Sequence, residues 1–145
     1  MGASDRFKPV VKVAANREAD AARKFGQSRQ QQQAEEQKLA NLREYHLEYM
    51  QRFRNAAASG ISVAQMREYQ AFISKLETAI EQQLNVVEDS KKRVVEQKKV
   101  WTTQHVRTQS MDKAMQRLVD QEKREENARE QKASDEIAQR LRRGR

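Results

Sequence analysis

The sequence predicts an all-α fold, an antiparallel two-helix coiled-coil hairpin whose second helix is longer than the first. Three observations predict it. Turn formers are scarce, with 4 Gly and 1 Pro in 145 residues. Apolar side chains recur at alternating steps of three and four along both halves of the chain. A single strong break separates the two runs. The charged share of 34% and mean hydropathy of −1.08 are too polar for a globular core. Disorder alone would not explain the regular apolar spacing.

The break is Ser59-Gly60-Ile61-Ser62. Gly60 can take the left-handed conformation that ends a helix. Ser62 is then the N-cap of the next helix, and Gln65 completes a capping box. Ile61 and Met66 stand where a hydrophobic staple needs them.

Before the break the heptads run backward through Ala56, Phe53, Tyr49, His46, Leu42 and Leu39. They continue through Glu35, Gln32, Ser28, Phe25, Ala21, Glu18, Ala14 and Val11. After it they run through Met66, Tyr69, Ile73, Leu76, Ile80, Gln83, Val87, Ser90, Val94, Gln97, Trp101, Gln104, Thr108, Met111, Met115 and Leu118. A hairpin centred on Gly60-Ile61 makes facing seam residues carry numbers that add up to about 122. Phe53 then faces Tyr69, Tyr49 faces Ile73, His46 faces Leu76, Leu42 faces Ile80 and Val11 faces Met111. Trp101 is expected over Ala21, the largest side chain against one of the smallest. Polar seam residues dilute the middle, so modest stability is expected of a core that is thin in any case.

Helix 1 is expected over residues 9–58, starting near Pro9, because a proline suits the first turn. The turn covers 59–62 and helix 2 residues 63–141, the whole forming one hairpin domain. Beyond Leu118 only Ile137 and Leu141 are large and apolar, so this stretch is polar all round and either frays or is gripped by something else.

The composition excludes several chemistries. There is no Cys, hence no disulfide or thiolate chemistry. No signal-peptide core and no membrane span is visible, which makes the cytoplasm the simplest compartment. No Gly-rich phosphate loop, His-Glu-x-x-His or Gly-x-Ser-x-Gly pattern occurs. His46 reads as a packed polar seam residue and His105 as a flanking one. Neither an enzyme nor a metal or cofactor site is expected, since two paired rods provide no concave pocket.

The net charge of +8 is uneven. Residues 1–30 carry +4, residues 31–85 carry −1 and residues 86–145 carry +5, with Arg140, Arg142, Arg143 and Arg145 in a basic tail. A hairpin gathers both basic segments at the end away from the turn, where they attract acidic surfaces. Nearer the turn, Leu42, Tyr45 and Tyr49 form one stripe, and Phe72, Leu76, Ala79 and Gln83 form another on the same flank. Tyr45 and Phe72 exceed what a seam needs. Such a flank reads either as a protein-binding surface or as a wider core.

Several segments together resemble the flagellar type III export protein family FliJ. They are Tyr69 to Gln83 (YQAFISKLETAIEQQ), Ala21-Ala22, the Leu39-x-x-Leu42-x-x-Tyr45-x-x-x-Tyr49 run, Trp101, and the Glu130-Gln131-Lys132 segment with Asp135-Glu136. The resemblance implies a stalk-like coiled coil that enters the hexameric ring of the export ATPase FliI and promotes its assembly. It implies docking on the export gate protein FlhA and binding of flagellar export chaperones, at the cytoplasmic face of the cell membrane. The gate-docking face carries over to Phe72, Leu76, Ala79 and position 83, with Leu42, Tyr45 and Tyr49 on the same surface. Position 83 is Gln here, where relatives can have His. The ring-facing charges would be Arg6, Lys8, Lys12, Arg124, Arg129, Lys132 and Arg140. On this reading the chain is a monomer on its own and takes no small molecule or nucleic acid. The alternatives are the equivalent stalk of a virulence-type secretion system, a nucleic-acid-binding coiled coil and a generic scaffold.

Overall fold

The computed structural model describes residues 2–144 and consists of two α-helices. Helix α1 spans Ala3–Ser59 and helix α2 spans Val63–Arg143, packed against each other as a helical hairpin. No strand occurs among the described residues. Arg145, counted above in the basic tail, lies outside them.

The connection forms by the chemistry its residues dictate. Gly60 has φ of +85°, and its N–H donates to the Ala57 carbonyl at 3.3 Å. A side chain pays for this left-handed geometry in steric strain, and glycine does not. The capping box closes in both directions. The Gln65 N–H donates to Ser62 Oγ at 3.1 Å, and the Ser62 N–H donates to Gln65 Oε1 at 3.1 Å. Two backbone donors that a helix start would leave open are thereby satisfied.

Burial follows the heptad stripe. The buried apolar residues are Ala14, Ala21, Leu39, Ile73, Leu76 and Val87, each on the predicted seam. The buried polar residues Ser28, Glu35, Ser90 and Thr108 share it. Hydroxyls in the seam use nearby carbonyls. Ser28 donates to Phe25 and Ser90 to Val87, both at 2.7 Å. Thr108 lies within hydrogen-bond reach of the Gln104 carbonyl and, across the seam, of the Ala14 carbonyl. Among the described residues no buried side-chain polar atom is left unsatisfied, so the dilution costs no orphaned groups. Among the described residues no side chain is sealed completely, as expected when one helix covers only one face of another.

The chain divides into two compact units, residues 22–100 and residues 1–21 with 101–145. In the first, Phe53 meets Tyr69 with ring centroids 5.7 Å apart, and His46 Nε2 lies 3.2 Å from Glu77 Oε1. In the second, Thr108 reaches the Ala14 carbonyl at 3.2 Å and His105 Nδ1 bonds Glu18. Each pair fits the predicted register. Ala21 is buried, whereas Trp101 is half-buried and stacks on His105 at 5.2 Å and 17°.

Helix α1 begins at Ala3 and not near Pro9, which sits inside it. Contacts remote in sequence hold the additional turns. Ser4 is 6% exposed, its N–H donates to Glu122 Oε1 at 2.9 Å, and its hydroxyl donates to Glu122 Oε2. Asp5 and Lys8 pair locally at 3.0 Å. At the other extreme, α2 runs on to Arg143, and every residue from 123 to 144 is exposed.

Candidate partner-binding site

The compact unit of residues 22–100 carries the aromatic flank. Tyr49 from α1 and Phe72 from α2 meet with ring centroids 4.3 Å apart at 41°. Such a tilted pair adds about 0.5–1.5 kcal/mol beyond its buried area. Arg52 stands 5.1 Å over the Tyr49 ring, and its guanidinium also holds Glu48 at 2.7 Å. These contacts fix Tyr49, which is half-buried, and leave Phe72 40% exposed. A shallow groove of about 300 Å³ opens beside them, lined by Tyr49, Gln65, Glu68, Tyr69 and Phe72. One turn earlier on α1, Tyr45 is 54% exposed and lines a second groove with Asn41, Glu44 and Glu48. The flank therefore offers two aromatic faces to solvent, one backed by a fixed ring and one bordered by carboxylates.

The remaining residues of the two stripes take different roles. Leu76 is buried and serves the seam. Leu42 and Ala79 are half-buried at the border. Gln83 turns its amide inward, where Nε2 donates to the Glu35 carboxylate at 2.6 Å and to the Glu35 carbonyl at 2.9 Å. Gln31 adds a donor to Glu35 Oε1 at 2.7 Å, and Lys38 approaches to 3.5 Å. The Gln83 hydrogen bond, more than anything else, holds the Glu35 carboxyl below its ordinary value, against the opposing effect of burial. Tyr45 and Phe72 are thus the side chains of this set most open to solvent.

The other compact unit carries the basic residues. Arg6, Lys8, Lys12, Arg124, Arg129, Lys132 and Arg140 all belong to it and are all exposed, with Lys8 paired to Asp5. The sequence did not reveal a polar cluster in the same unit. Glu18 binds His105, whose ring stacks on Trp101. The His105 hydrogen bond is the main influence lowering the Glu18 carboxyl, with Thr108 assisting and burial opposing. Glu122 is lowered by its hydrogen bonds from Ser4. The usable signal was register: 18 and 105 add to nearly the same total as the facing seam pairs, although His105 stands just off the seam.

Among the described residues no group of three or more His, Asp or Glu could hold a metal ion. No helix among them is long and apolar enough to cross a membrane. What the surfaces provide is exposed aromatic side chains in one unit and exposed cations in the other, Lys8 among them paired to Asp5.

Comparison with known proteins agrees with this geometry. The family model described as "Flagellar FliJ protein" matches residues 3–145. A "Flagellar FliJ protein" of Salmonella typhi is 33% identical over 121 residues, spanning 83% of this chain and 82% of the relative. No solved structure matches the chain. A match across nearly all of both helices, together with the hairpin itself, establishes that the chain belongs to the FliJ family of flagellar export components.

Proposed function

We propose that this chain is the stalk-like coupling component of a flagellar export machine, with a different partner for each of its two units. The aromatic flank docks on the cytoplasmic part of the export gate FlhA, with Tyr45 and Phe72 as anchors and Tyr49, Leu42, Leu76, Ala79 and Gln83 setting their geometry. The basic unit binds the export ATPase FliI and promotes assembly of its hexamer through Arg6, Lys8, Lys12, Arg124, Arg129, Lys132 and Arg140. The protein also escorts flagellar export chaperones and works from the cytoplasm, peripheral to the membrane at the flagellar base. It performs no catalysis of its own.

The observation that carries this reading is the exposure of Tyr45 and Phe72 beside the fixed Tyr49 ring. Aromatic anchors next to rigid neighbours dominate protein interfaces. Phe72 exposes 40% of its surface, so its truncation leaves the seam residues Ile73 and Leu76 in place. The expected result is that Phe72→Ala loses most of its affinity for the purified gate domain, by about tenfold or more, with unchanged helical circular dichroism. Unchanged affinity with unchanged dichroism removes Phe72 from the site. For the other unit, ATP hydrolysis by the cognate export ATPase is titrated with the protein while hexamer formation is followed. A saturable rise in rate is expected. A folded hairpin that changes neither rate nor assembly contradicts the ring-binding half of the reading.

A further inference from the structure

A groove unrelated to the aromatic flank lies between α1 and α2 in the compact unit of residues 1–21 and 101–145. Its volume is about 520 Å³, within the range of pockets that hold ligands. Pro9, Val10, Val13 and Met111 form its apolar part, and Arg17 and Arg107 border it. Val10 and Val13 are 43% and 49% exposed. They are three residues apart, so they share one helix face, and neither stands on the seam, where Val11 and Ala14 do. Valine is a mediocre helix former, so local preference does not recommend it for a solvated face.

The order of residues gives the groove a direction. Along α1 it runs from Val10 through Val13 to Arg17. Along the antiparallel α2 the same direction runs from Met111 to Arg107. Both apolar walls therefore start together and both guanidiniums lie further along, about one helical turn from Met111 and Val13 and about two from Val10, roughly 6–10 Å on. Among the described residues neither arginine has an ion-pair or hydrogen-bond partner. The nearby carboxylate of Glu18 is taken by His105. Two unpartnered guanidiniums bordering one groove favour an anion in it.

We infer that this groove is a docking site for an amphipathic helix of a partner protein, one that inserts apolar side chains between Val10, Val13 and Met111 and presents carboxylates, about one to two turns further along, to Arg17 and Arg107. A helix lying in an apolar groove is an established recognition mode, read by anchors at one-turn spacing. The matched direction of apolar and cationic ends selects the orientation of the occupant as well as its charge. This inference is independent of the gate and ring assignments, and its test uses neither partner.

The test measures fluorescence anisotropy of labelled, conformationally restrained helical peptides titrated with the full-length protein. The probe peptide carries leucines on one face and a glutamate pair about one to two turns further on. One control replaces the glutamates by lysine, and a second replaces the leucines by serine. The expected result is saturable binding of the probe and at least tenfold weaker binding of both controls. Val13→Asp, and separately the double change Arg17→Glu with Arg107→Glu, weaken probe binding about tenfold or more. The doubly charge-reversed protein binds the lysine peptide better than the probe. Val10→Ser, milder and also outside the seam, repeats the loss if Val13→Asp alters the dichroism. Absence of saturable probe binding overturns the inference. Equal binding to the leucine and serine peptides also overturns it, by reducing the groove to charge alone. So does displacement of the probe by duplex DNA with Val13→Asp without effect, which marks the arginines as a polyanion contact.

Discussion

The same substitution at two glycines is expected to change stability in opposite directions. Gly26 lies within α1, and a Cβ built there meets nothing within 4 Å. Alanine at that position fits the helix and removes the entropic penalty of glycine, which is about 0.8–1.0 kcal/mol in a helix interior. Gly60 also has open space around an added Cβ, but its φ is +85°. There the obstacle is the backbone itself. A left-handed L-residue costs roughly 1–2 kcal/mol, and the smaller entropy of the unfolded alanine chain offsets about 0.4–1 kcal/mol of it. Gly26→Ala should therefore stabilise by about 1 kcal/mol, and Gly60→Ala should destabilise by about 1 kcal/mol. For a chain of this length each kcal/mol moves Tm by roughly 2–4 °C, so the two variants should melt about 4–8 °C apart. Gly60→Asn should fall between Gly60→Ala and the parent, since asparagine tolerates this conformation better. The assay is thermal unfolding followed by circular dichroism, repeated in urea to obtain midpoints. Shifts of the same sign for both alanine variants would refute the reasoning. A loss at Gly26→Ala alone would mean that α1 is not a continuous helix there.

Other expectations follow from the seam. Leu39→Ala removes the bulk of a side chain that is 7% exposed and should cost at least about 2 kcal/mol. Val95→Ala, at a residue 53% exposed, should leave the urea midpoint nearly unchanged. Glu18, Glu35 and Glu122 have folded pKa values below their ordinary 4.5. Their contribution to stability is fully present above that pH and is lost as pH falls through the lowered values. Glu35→Gln should flatten this acid-side decline, and an unaltered slope would argue against it. Ser4→Ala removes one of the two hydrogen bonds to Glu122 and should speed amide exchange in residues 3–8 while leaving the turn at Gly60 unchanged.

The fold was legible because burial in a helix pair is a stripe, and a stripe is a periodicity. Leu39, Ile73, Leu76 and Val87 are buried where the three-four spacing put them. The turn was legible because its stabilising contacts are local, within Ala57 to Gln65. The start of α1 was not. A local rule favours helix initiation at Pro9, and a contact between Ser4 and Glu122, 118 residues apart, overrides it. Polar seam residues were the other difficulty. Glu35 and Gln83 read separately as a dilution of the core and as part of a surface, and only their pairing shows that each satisfies the other. The Glu18–His105–Trp101 cluster escaped for a similar reason, because His105 is one residue off the stripe.

The buried Glu35 has a consequence for the sliding of one helix along the other. Apolar heptads look alike after every seven residues, so greasy contacts alone would tolerate a hairpin slipped by one repeat. A slip towards the turn would move Glu35 away from Gln83 and set its carboxylate between Leu76 and Ile80, neither of which can donate a hydrogen bond. The carboxylate thus acts as a stop that makes one alignment distinguishable from its neighbours. Removing one heptad from only one helix, between Gly60 and this pair, should therefore disrupt the hairpin, whereas matched removal from both should preserve it.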